Sequence, residues 1–189
     1  SGRIANSIVW KAPKFEGVPV EFAAMYANDD DITGDNESGW GVSAMFDQGA
    51  GYTLGLAYED DLNLKGSMIR GTGTLDLATF NSGFPVTLGA LYQEADYDYG
   101  DKKEKGYVVS AQMGLTNFAK PATIYAQYNN TSDLDGVNGW DSDQIVVGGK
   151  YYYQKNMIAH AYIGQNDADL GNTGDAKVFA VGGGLEYKF

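Results

Sequence analysis

The sequence contains no cysteine and a single histidine. Without thiols the chain can form neither a disulfide framework nor a thiolate zinc site, and it has no cysteine nucleophile. Basic residues are also scarce, because thirteen Lys and Arg stand against twenty-five Asp and Glu and give a net charge of -12. A nucleic-acid binder must neutralise phosphates, so this charge argues against nucleic acid as a partner.

Long hydrophobic runs are missing as well. The longest stretch without a charged residue, 77–93, carries Asn81, Gly83 and Pro85 in its middle. It therefore cannot form a membrane helix, which needs roughly 20 apolar residues. The first residues show no succession of basic, apolar and small residues, so we expect any export signal to have been removed or to lie upstream of this sequence.

Apolar and polar residues instead alternate one by one, which is the period of a β-strand. In 52–59, for example, Tyr52, Leu54 and Leu56 fall on one side of the strand and Thr53 and Ala57 on the other. The pattern recurs, sometimes imperfectly, and predicts eleven strands. These are 4–12, 20–27, 40–47, 52–59, 68–77, 86–93, 107–116, 122–129, 144–153, 157–164 and 178–189.

The connections between these segments are of two kinds that take turns along the chain. Short connections alternate with longer polar ones, and twenty of the twenty-five acidic residues lie in the polar connections or on the strand ends beside them. An antiparallel up-and-down sheet brings every second connection to the same edge. The sequence therefore predicts one strongly anionic rim and an all-β, antiparallel transmembrane β-barrel.

A soluble β-sandwich also alternates, so periodicity alone leaves the two folds open. The positions of the aromatic residues favour the barrel. Eleven of them fall on the apolar side near strand ends, where amphipathic rings suit a membrane interface. These are Trp10, Tyr26, Trp40, Tyr52, Tyr58, Tyr92, Tyr107, Tyr128, Tyr153, Tyr187 and Phe189.

The two ends of the sequence resemble a known family. Leu185, Tyr187 and the terminal Phe189 share one side of the last strand, which looks like the assembly signal of bacterial outer-membrane proteins. The opening 3–17, RIANSIVWKAPKFEG, resembles the segment that follows the constriction loop in the trimeric general porins of Gram-negative bacteria. The resemblance covers essentially the whole chain, and it implies a passive outer-membrane channel that forms a homotrimer.

The number of strands adds an expectation about completeness. Eleven antiparallel strands would close only through a parallel seam, whereas bacterial single-chain barrels have an even number. General porins have sixteen strands, and the segment resembling 3–17 would begin the sixth. We therefore expect residues 1–189 to be one incomplete barrel domain, and the missing N-terminal strands and constriction loop of the same barrel to exist as another piece.

The side chains on the polar side of the strands are the candidates to line the pore. By strand parity these are Lys11, Glu21, Asp47, Glu59, Arg70, Asp76, Lys150, His160, Glu186 and Lys188. Arg70 and Lys150 lie within strands, at membrane depth, where an arginine facing lipid costs about 2–4 kcal/mol. They could form a basic wall that sets a transverse field across the pore, or they could simply pair with neighbouring acids for stability.

Two other kinds of site can be considered. Catalysis by His160 would need a serine or an aspartate pair beside it at the rim, and His160 is flanked on its side of the strand by Ile158 and Tyr162, so we expect no enzyme. Asp29 and Asp31 stand at positions 1 and 3 and Gly34 at position 6 of a possible helical calcium loop, but Trp40 stands at position 12, where that loop needs a glutamate, and no helix is predicted beside it.

A looser role for acidic loops remains open. Anionic lipopolysaccharide and acidic loops repel each other unless divalent cations bridge them, so weak Ca²⁺ or Mg²⁺ binding is predicted at 29–37 and 133–143, through Asp29, Asp31, Asp35, Asp133 and Asp135. Plain surface solubility is the competing interpretation. No other cofactor is expected.

The sequence thus predicts an outer-membrane porin that passes small hydrophilic solutes and ions. The acidic rim predicts a preference for cations, because a surface potential enriches counter-ions at an entrance. The alternative is an adhesin or receptor barrel that acts through its acidic loops at 29–37 and 131–141.

Overall fold

A computed structural model describes residues 6–13, 16–28, 38–81 and 83–188. The described residues form eleven β-strands with three short 3₁₀ turns, and none of their helices is long and apolar enough to cross a membrane. The strands are β1 (Ser7–Lys11), β2 (Val20–Asn28), β3 (Ser38–Asp47), β4 (Tyr52–Asp60), β5 (Gly66–Asp76), β6 (Val86–Tyr97), β7 (Lys103–Leu115), β8 (Ala122–Ser132), β9 (Asp141–Gln154), β10 (Met157–Asp169) and β11 (Asp175–Tyr187).

All eleven strands belong to one antiparallel sheet in which each strand pairs with the next along the chain. The predicted number of strands and the up-and-down order are confirmed. β1 and β11 lie at opposite edges of this sheet and do not pair with each other, so the sheet formed by the described residues is open.

The polar connections are shorter than the sequence predicts. Strands β6 and β7 continue to Tyr97 and back from Lys103, and β10 and β11 continue to Asp169 and back from Asp175. Residues predicted as loop therefore stay in the ladder. Cross-strand ion pairs accompany these extensions, with Lys103 Nζ 3.3 Å from Glu94 Oε1 and 3.1 Å from Asp96 Oδ2. A cluster of charged residues in a sequence usually predicts a loop. Here opposite charges face each other on neighbouring strands, and such pairs stabilise a sheet.

The register separates the side chains into two faces. Val42 pairs with Tyr58, and Leu54 pairs with Phe46 on one side and Gly73 on the other, so apolar residues align from strand to strand. We call this side the apolar face and the opposite side, which carries Arg70 and Lys150, the polar face. Because the side-chain period of a strand is two, one consistent register keeps the faces separate across the whole sheet.

The apolar face is not buried. Leu54, Val42 and Leu88 are 57%, 46% and 39% exposed, whereas a soluble sandwich would pack such residues against a second sheet. The described residues contain no large side chain that is fully buried, and three of their four buried apolar residues, Ala27, Met68 and Ala95, lie on the polar face. The sandwich interpretation is therefore wrong for this chain, since its apolar side chains point away from the protein.

The two rims of the sheet differ. Short turns such as 48–51 and 155–156 lie at one rim, and connections such as 98–102 and 133–140 lie at the other. We call them the short-turn rim and the loop rim. Aromatic side chains flank the apolar face near both. Trp40 and Tyr58 lie with ring centroids 5.3 Å apart near the loop rim, and Phe46 and Tyr52 lie 5.7 Å apart near the short-turn rim. Such aromatic bands are typical of membrane barrels.

Candidate functional site: the polar face of the sheet

The polar face carries all the residues that the sequence singles out as pore-lining. The strand pairings place on it Lys11, Glu21, Asp47, Glu59, Arg70, Asp76, Lys150, His160 and Glu186. Lys188 follows directly and its Nζ lies 3.3 Å from Glu186 Oε1. The register thus brings these residues to one surface, although it spreads them over the full width of the sheet.

Most of the charged residues on this face lie at its short-turn rim. Asp47 and Asp76 end β3 and β5, and each carboxylate shapes the turn that follows. Asp47 Oδ1 accepts a hydrogen bond from Gly49 N at 2.9 Å, and Asp76 Oδ1 accepts one from Ala78 N at 3.0 Å. Side chains of this kind stabilise turns by binding the backbone two residues on. These two acids therefore have a structural role in addition to any contact with solutes.

Arg70 lies deeper in the wall, on β5, and its partner is an amide. Its Nε and Nη2 donate to Gln93 Oε1 at 3.1 and 2.6 Å, and Nη2 also lies 3.5 Å from Met68 Sδ. Gln93 stands directly opposite Arg70 on β6. Because the partner is neutral, the guanidinium is held in place while its positive charge is not cancelled.

Lys150 on β9 is exposed and stands directly opposite His160 on β10 and Thr123 on β8. Within the described part of the chain, its ammonium group has no hydrogen bond or ion pair. No acid of the described residues pairs with Arg70 or Lys150, so the alternative in which they only pair with neighbouring acids has no support there, and their role in the pore stays a prediction. Among the described residues, the polar face thus carries two positive charges with no acidic partner.

Glu59 lies at the other end of the face, near the loop rim. Its Oε2 accepts a hydrogen bond from Asn63 Nδ2 at 2.7 Å, while its Oε1 is buried and has no hydrogen-bond partner among the described residues. His160 has no serine or carboxylate hydrogen-bonded to it among the described residues. Its ring lies close to Gly184, where a Cβ atom would be 3.2 Å from Cε1. The geometry that general-base catalysis requires is not present there.

Rings lying over glycines are a feature of this face that the sequence analysis missed. A Cβ atom at position 148 would lie 2.5 Å from Cζ of Tyr125, and one at position 182 would overlap the ring of Tyr162. Both glycines stand directly across from these tyrosines in the ladder. A glycine opposite an aromatic residue lets the ring cover the neighbouring backbone. Strand parity places Tyr125 and Tyr162 on the polar side, so that signal was present in the sequence.

Neutral polar side chains form a second feature that was missed. Gln127 Nε2 donates to Asn129 Oδ1 at 2.9 Å, and Asn129 Nδ2 donates to Gln144 Oε1 at 2.7 Å. Ser110 and Gln112 share the same face on β7. Because these side chains are uncharged, a search for charged residues does not find them. They form a hydrophilic surface on the polar face between Arg70 and Lys150.

Two connections at the loop rim are tied together, and we call this contact the loop latch (98–102 with 133–137). Asp101 N and Lys102 N both donate to Gly136 O at 3.0 Å, and Tyr99 Oη donates to Asp135 Oδ1 at 2.9 Å. The hydrogen bond to Asp135 raises the pKa of Tyr99 above its ordinary value of 10.0. Glu104 Oε2 supports the latch by accepting from Asp135 N at 2.8 Å.

The predicted metal ligands are only partly within the described residues. Asp133 Oδ1 accepts from Gly139 N at 3.0 Å and Asp135 binds Tyr99, so both carboxylates hold the backbone of their own connection or the latch. In the part of the chain that the structure describes, no three acids or histidines are grouped as metal ligands. Cation binding through Asp133 and Asp135 stays a prediction. Asp29, Asp31 and Asp35 lie outside the described residues, and cation bridging there stays a prediction.

The predicted assembly signal also lies partly within the described residues. Leu185 and Tyr187 are 73% and 51% exposed on the apolar face of β11, while Phe189 lies outside the described residues. Both residues belong to β11, which lies at one edge of the sheet. A role in assembly stays a prediction.

Comparison with known proteins decides the family. A family model described as Gram-negative porin matches residues 1–172. The chain belongs to the Gram-negative porin family. This confirms the resemblance inferred from the two ends, and it places the protein in the outer membrane as a β-barrel protein. Porins are channel proteins and not enzymes, so the prediction that the chain is not an enzyme is also confirmed.

Curated relatives are outer-membrane proteins of similar kind. The chain is 30% identical over 158 residues to outer membrane protein S2 of Salmonella typhi, covering 70% of this chain and 41% of that protein. It is 28% identical to outer membrane protein F of Serratia marcescens, covering 84% of this chain and 51% of that protein. The porin chain therefore spans about half the length of these relatives.

A solved structure supports the same fold. An anion-selective porin from Comamonas acidovorans matches with a TM-score of 0.67 and 19% identity, covering 98% of this chain and 56% of that chain. At this identity the likeness shows the fold and nothing finer. It confirms the all-β antiparallel class.

Proposed function

We propose that the complete protein forms a water-filled channel through which small hydrophilic solutes and ions diffuse passively across the outer membrane. The observation that carries this proposal is the separation of faces. Leu54, Val42 and Leu88 are exposed on the side that would meet lipid, whereas Arg70, Lys150 and a network of amides share the other side. Outer-membrane barrels place water inside and lipid outside in this way.

We further propose that the polar-face residues line this channel and that Arg70 and Lys150 are its main fixed charges. Arg70 is positioned by Gln93 without being neutralised, and Lys150 has no partner among the described residues. Charges fixed at membrane depth and facing water are typical of permeation paths.

The channel is proposed to be completed by further strands that pair with β1 and β11. Both strands lie at edges of the sheet, and an unpaired strand edge in hydrocarbon leaves backbone N–H and C=O groups unsatisfied. The relatives, of which the chain covers 41 to 51%, are long enough to supply such strands. Because the sequence resembles the trimeric general porins, we also propose that the complete protein forms a homotrimer in contact with membrane lipid and lipopolysaccharide.

We propose a preference for cations, supported by the net charge of -12 and the concentration of acids toward the loop rim. Arg70 and Lys150 act in the opposite direction, and the structural neighbour from Comamonas acidovorans is an anion-selective porin. Reversal potentials across a planar bilayer under a KCl gradient test the proposal. A potential of the sign set by K⁺ is expected, and a potential of the sign set by Cl⁻ would show that the basic wall, not the acidic rim, controls permeation.

A further inference from the structure

A shallow cavity of about 380 Å³ opens on the polar face over β7, β8 and β9. Its side chains from this face are Ser110, Gln112, Tyr125, Gln127 and Lys150. We call it the tyrosine–lysine pocket. Its volume lies within the range of small-molecule sites, which begins at roughly 300 Å³.

The strand register builds this pocket in three rows. Ser110 stands opposite Gln127, Gln112 stands opposite Tyr125, and Lys150 lies one row nearer the short-turn rim, opposite Thr123. Gly148, beside Tyr125, makes room for its ring. The ring forms one wall of the pocket while amides, a hydroxyl and an ammonium group surround it.

Four of these side chains have free hydrogen-bonding capacity. Within the described residues, Ser110, Gln112, Tyr125 and Lys150 have no side-chain hydrogen bond or ion pair, and Gln127 donates one bond to Asn129. A hydroxyl or an amide can both donate and accept, whereas an ammonium group only donates. The pocket therefore offers mixed neutral groups and one cation.

Within the described part of the chain, two acids of the polar face toward the short-turn rim, Asp76 and Glu186, are engaged elsewhere. Asp76 lies in the row of Gln112 but three strands from Tyr125, and its carboxylate binds the turn at Ala78. Glu186, on β11, is paired with Lys188. The charge of Lys150 is thus available to a solute.

We propose that the tyrosine–lysine pocket is a binding site for a small hydroxylated carboxylate of the sugar-acid class. The carboxylate would accept a charge-assisted hydrogen bond from Lys150. The hydroxyl groups would exchange hydrogen bonds with Ser110, Gln112 and Gln127, and the apolar C–H face of the sugar ring would pack on Tyr125.

Such a site rests on the proposed channel function and makes it more specific. A permeation path needs sites that bind strongly enough to attract a solute and weakly enough to release it. The open shape of the pocket and its single cation suit binding with a dissociation constant on the order of 1 mM. The site would favour sugar acids over neutral sugars of equal size.

The experiment uses the complete protein in planar bilayers, with D-glucuronate as the probe. The current through open channels is recorded while glucuronate is added. Glucose and acetate are tested separately, because glucose has the hydroxylated ring without the carboxylate and acetate has the carboxylate without the ring. Glucuronate is expected to reduce the current saturably at lower concentration than glucose or acetate. Equal half-blocking concentrations for glucuronate and acetate would overturn the proposal, because a plain charge effect explains them.

Matched variants separate the site from general charge effects. Lys150→Gln is expected to raise the half-blocking concentration about tenfold, because a hydrogen bond to a charged group is lost. Lys155→Gln removes the same charge from a short turn and should leave that concentration unchanged. Tyr125→Leu should raise the half-blocking concentration about threefold, because the ring that packs on the sugar is lost. Its control, Tyr162→Leu, changes a tyrosine outside the pocket and should leave that concentration unchanged. If each variant and its control behave alike, the pocket is not the site.

Saturation-transfer NMR on the protein in detergent measures glucuronate binding without any current. A transfer signal that weakens in Lys150→Gln supports the binding site, even if the bilayer shows no conductance. Absence of conductance would count against the proposed channel function and not against the site. A conducting channel with no saturable block and no transfer signal would refute the site and leave the channel function standing.

Discussion

At the scale of single residues, the polar face shows which interactions strand parity can predict. Parity places Arg70 on the polar face because its position in β5 alternates with apolar neighbours. It does not predict Gln93 as the partner, since that contact depends on which residue of β6 stands opposite Arg70. Pairing between strands is set by turn geometry and register, which a single segment of sequence does not reveal.

Arg70 is expected to influence ion selectivity through its charge and not through its contact with Gln93. Arg70→Gln removes a positive charge at membrane depth and should shift the reversal potential toward stronger cation preference. Gln93→Leu keeps the charge but removes both hydrogen bonds to the amide. This control should change the reversal potential much less, and equal shifts in the two variants would contradict the assignment of a fixed charge.

Val108 and Val109 provide a test of which face meets lipid. They are neighbours near the middle of β7, with Val109 46% exposed on the apolar face and Val108 on the polar face. Val109→Arg should lower the free energy of unfolding in lipid vesicles by about 2–4 kcal/mol, and Val108→Arg by less than about 1 kcal/mol. Urea titrations of both variants measure the difference. A larger loss for Val108→Arg would mean that the two faces are reversed.

At the scale of elements, the strands were predictable and their ends at the loop rim were not. Alternation gave the number and order of the strands because each half-exposed strand repeats its polarity every two residues. Beyond the membrane both faces are wet, so apolar residues no longer mark the strand. The ladder between β10 and β11 continues there with the pair Lys177 and Asp167, whose Nζ and Oδ1 lie 3.1 Å apart.

The loop latch depends on the close approach of Gly100 and Gly136. A Cβ atom at position 136 would lie 2.8 Å from Gly100 Cα, and Gly136 has φ +73°. Gly136→Ala should therefore separate 98–102 from 133–137 and increase amide hydrogen exchange in both segments. Exchange measured by mass spectrometry checks this expectation.

Gly139→Ala is the matched control for this change. Gly139 has φ +75° and nothing within 4 Å of a Cβ atom. Alanine at 139 therefore has the same backbone strain from positive φ as alanine at 136, but it does not clash with a neighbouring residue. Its effect should stay within its own connection. If Gly139→Ala also increases exchange in 98–102, backbone strain and not lost contact explains the result.

At the scale of the whole molecule, the open sheet determines what else the protein needs. Every second amide of an edge strand points away from its one partner. In the complete protein these amides of β1 and β11 should be protected from hydrogen exchange, because the proposed additional strands bond to them. Exchange as fast as in unprotected peptides at these amides, with normal protection at the others, would show that the sheet is not closed.

The exposed apolar face also affects how the sequence can change over time. Lipid chains are fluid and have no fixed shape, so replacing one aliphatic side chain by another at Val42 or Leu54 leaves no void of the kind that destabilises a packed interior. The positions on the apolar face, which are half of the alternating positions, can therefore exchange one apolar residue for another at little cost in stability. The fold itself does tolerate large sequence change, as the neighbour with a TM-score of 0.67 at 19% identity shows.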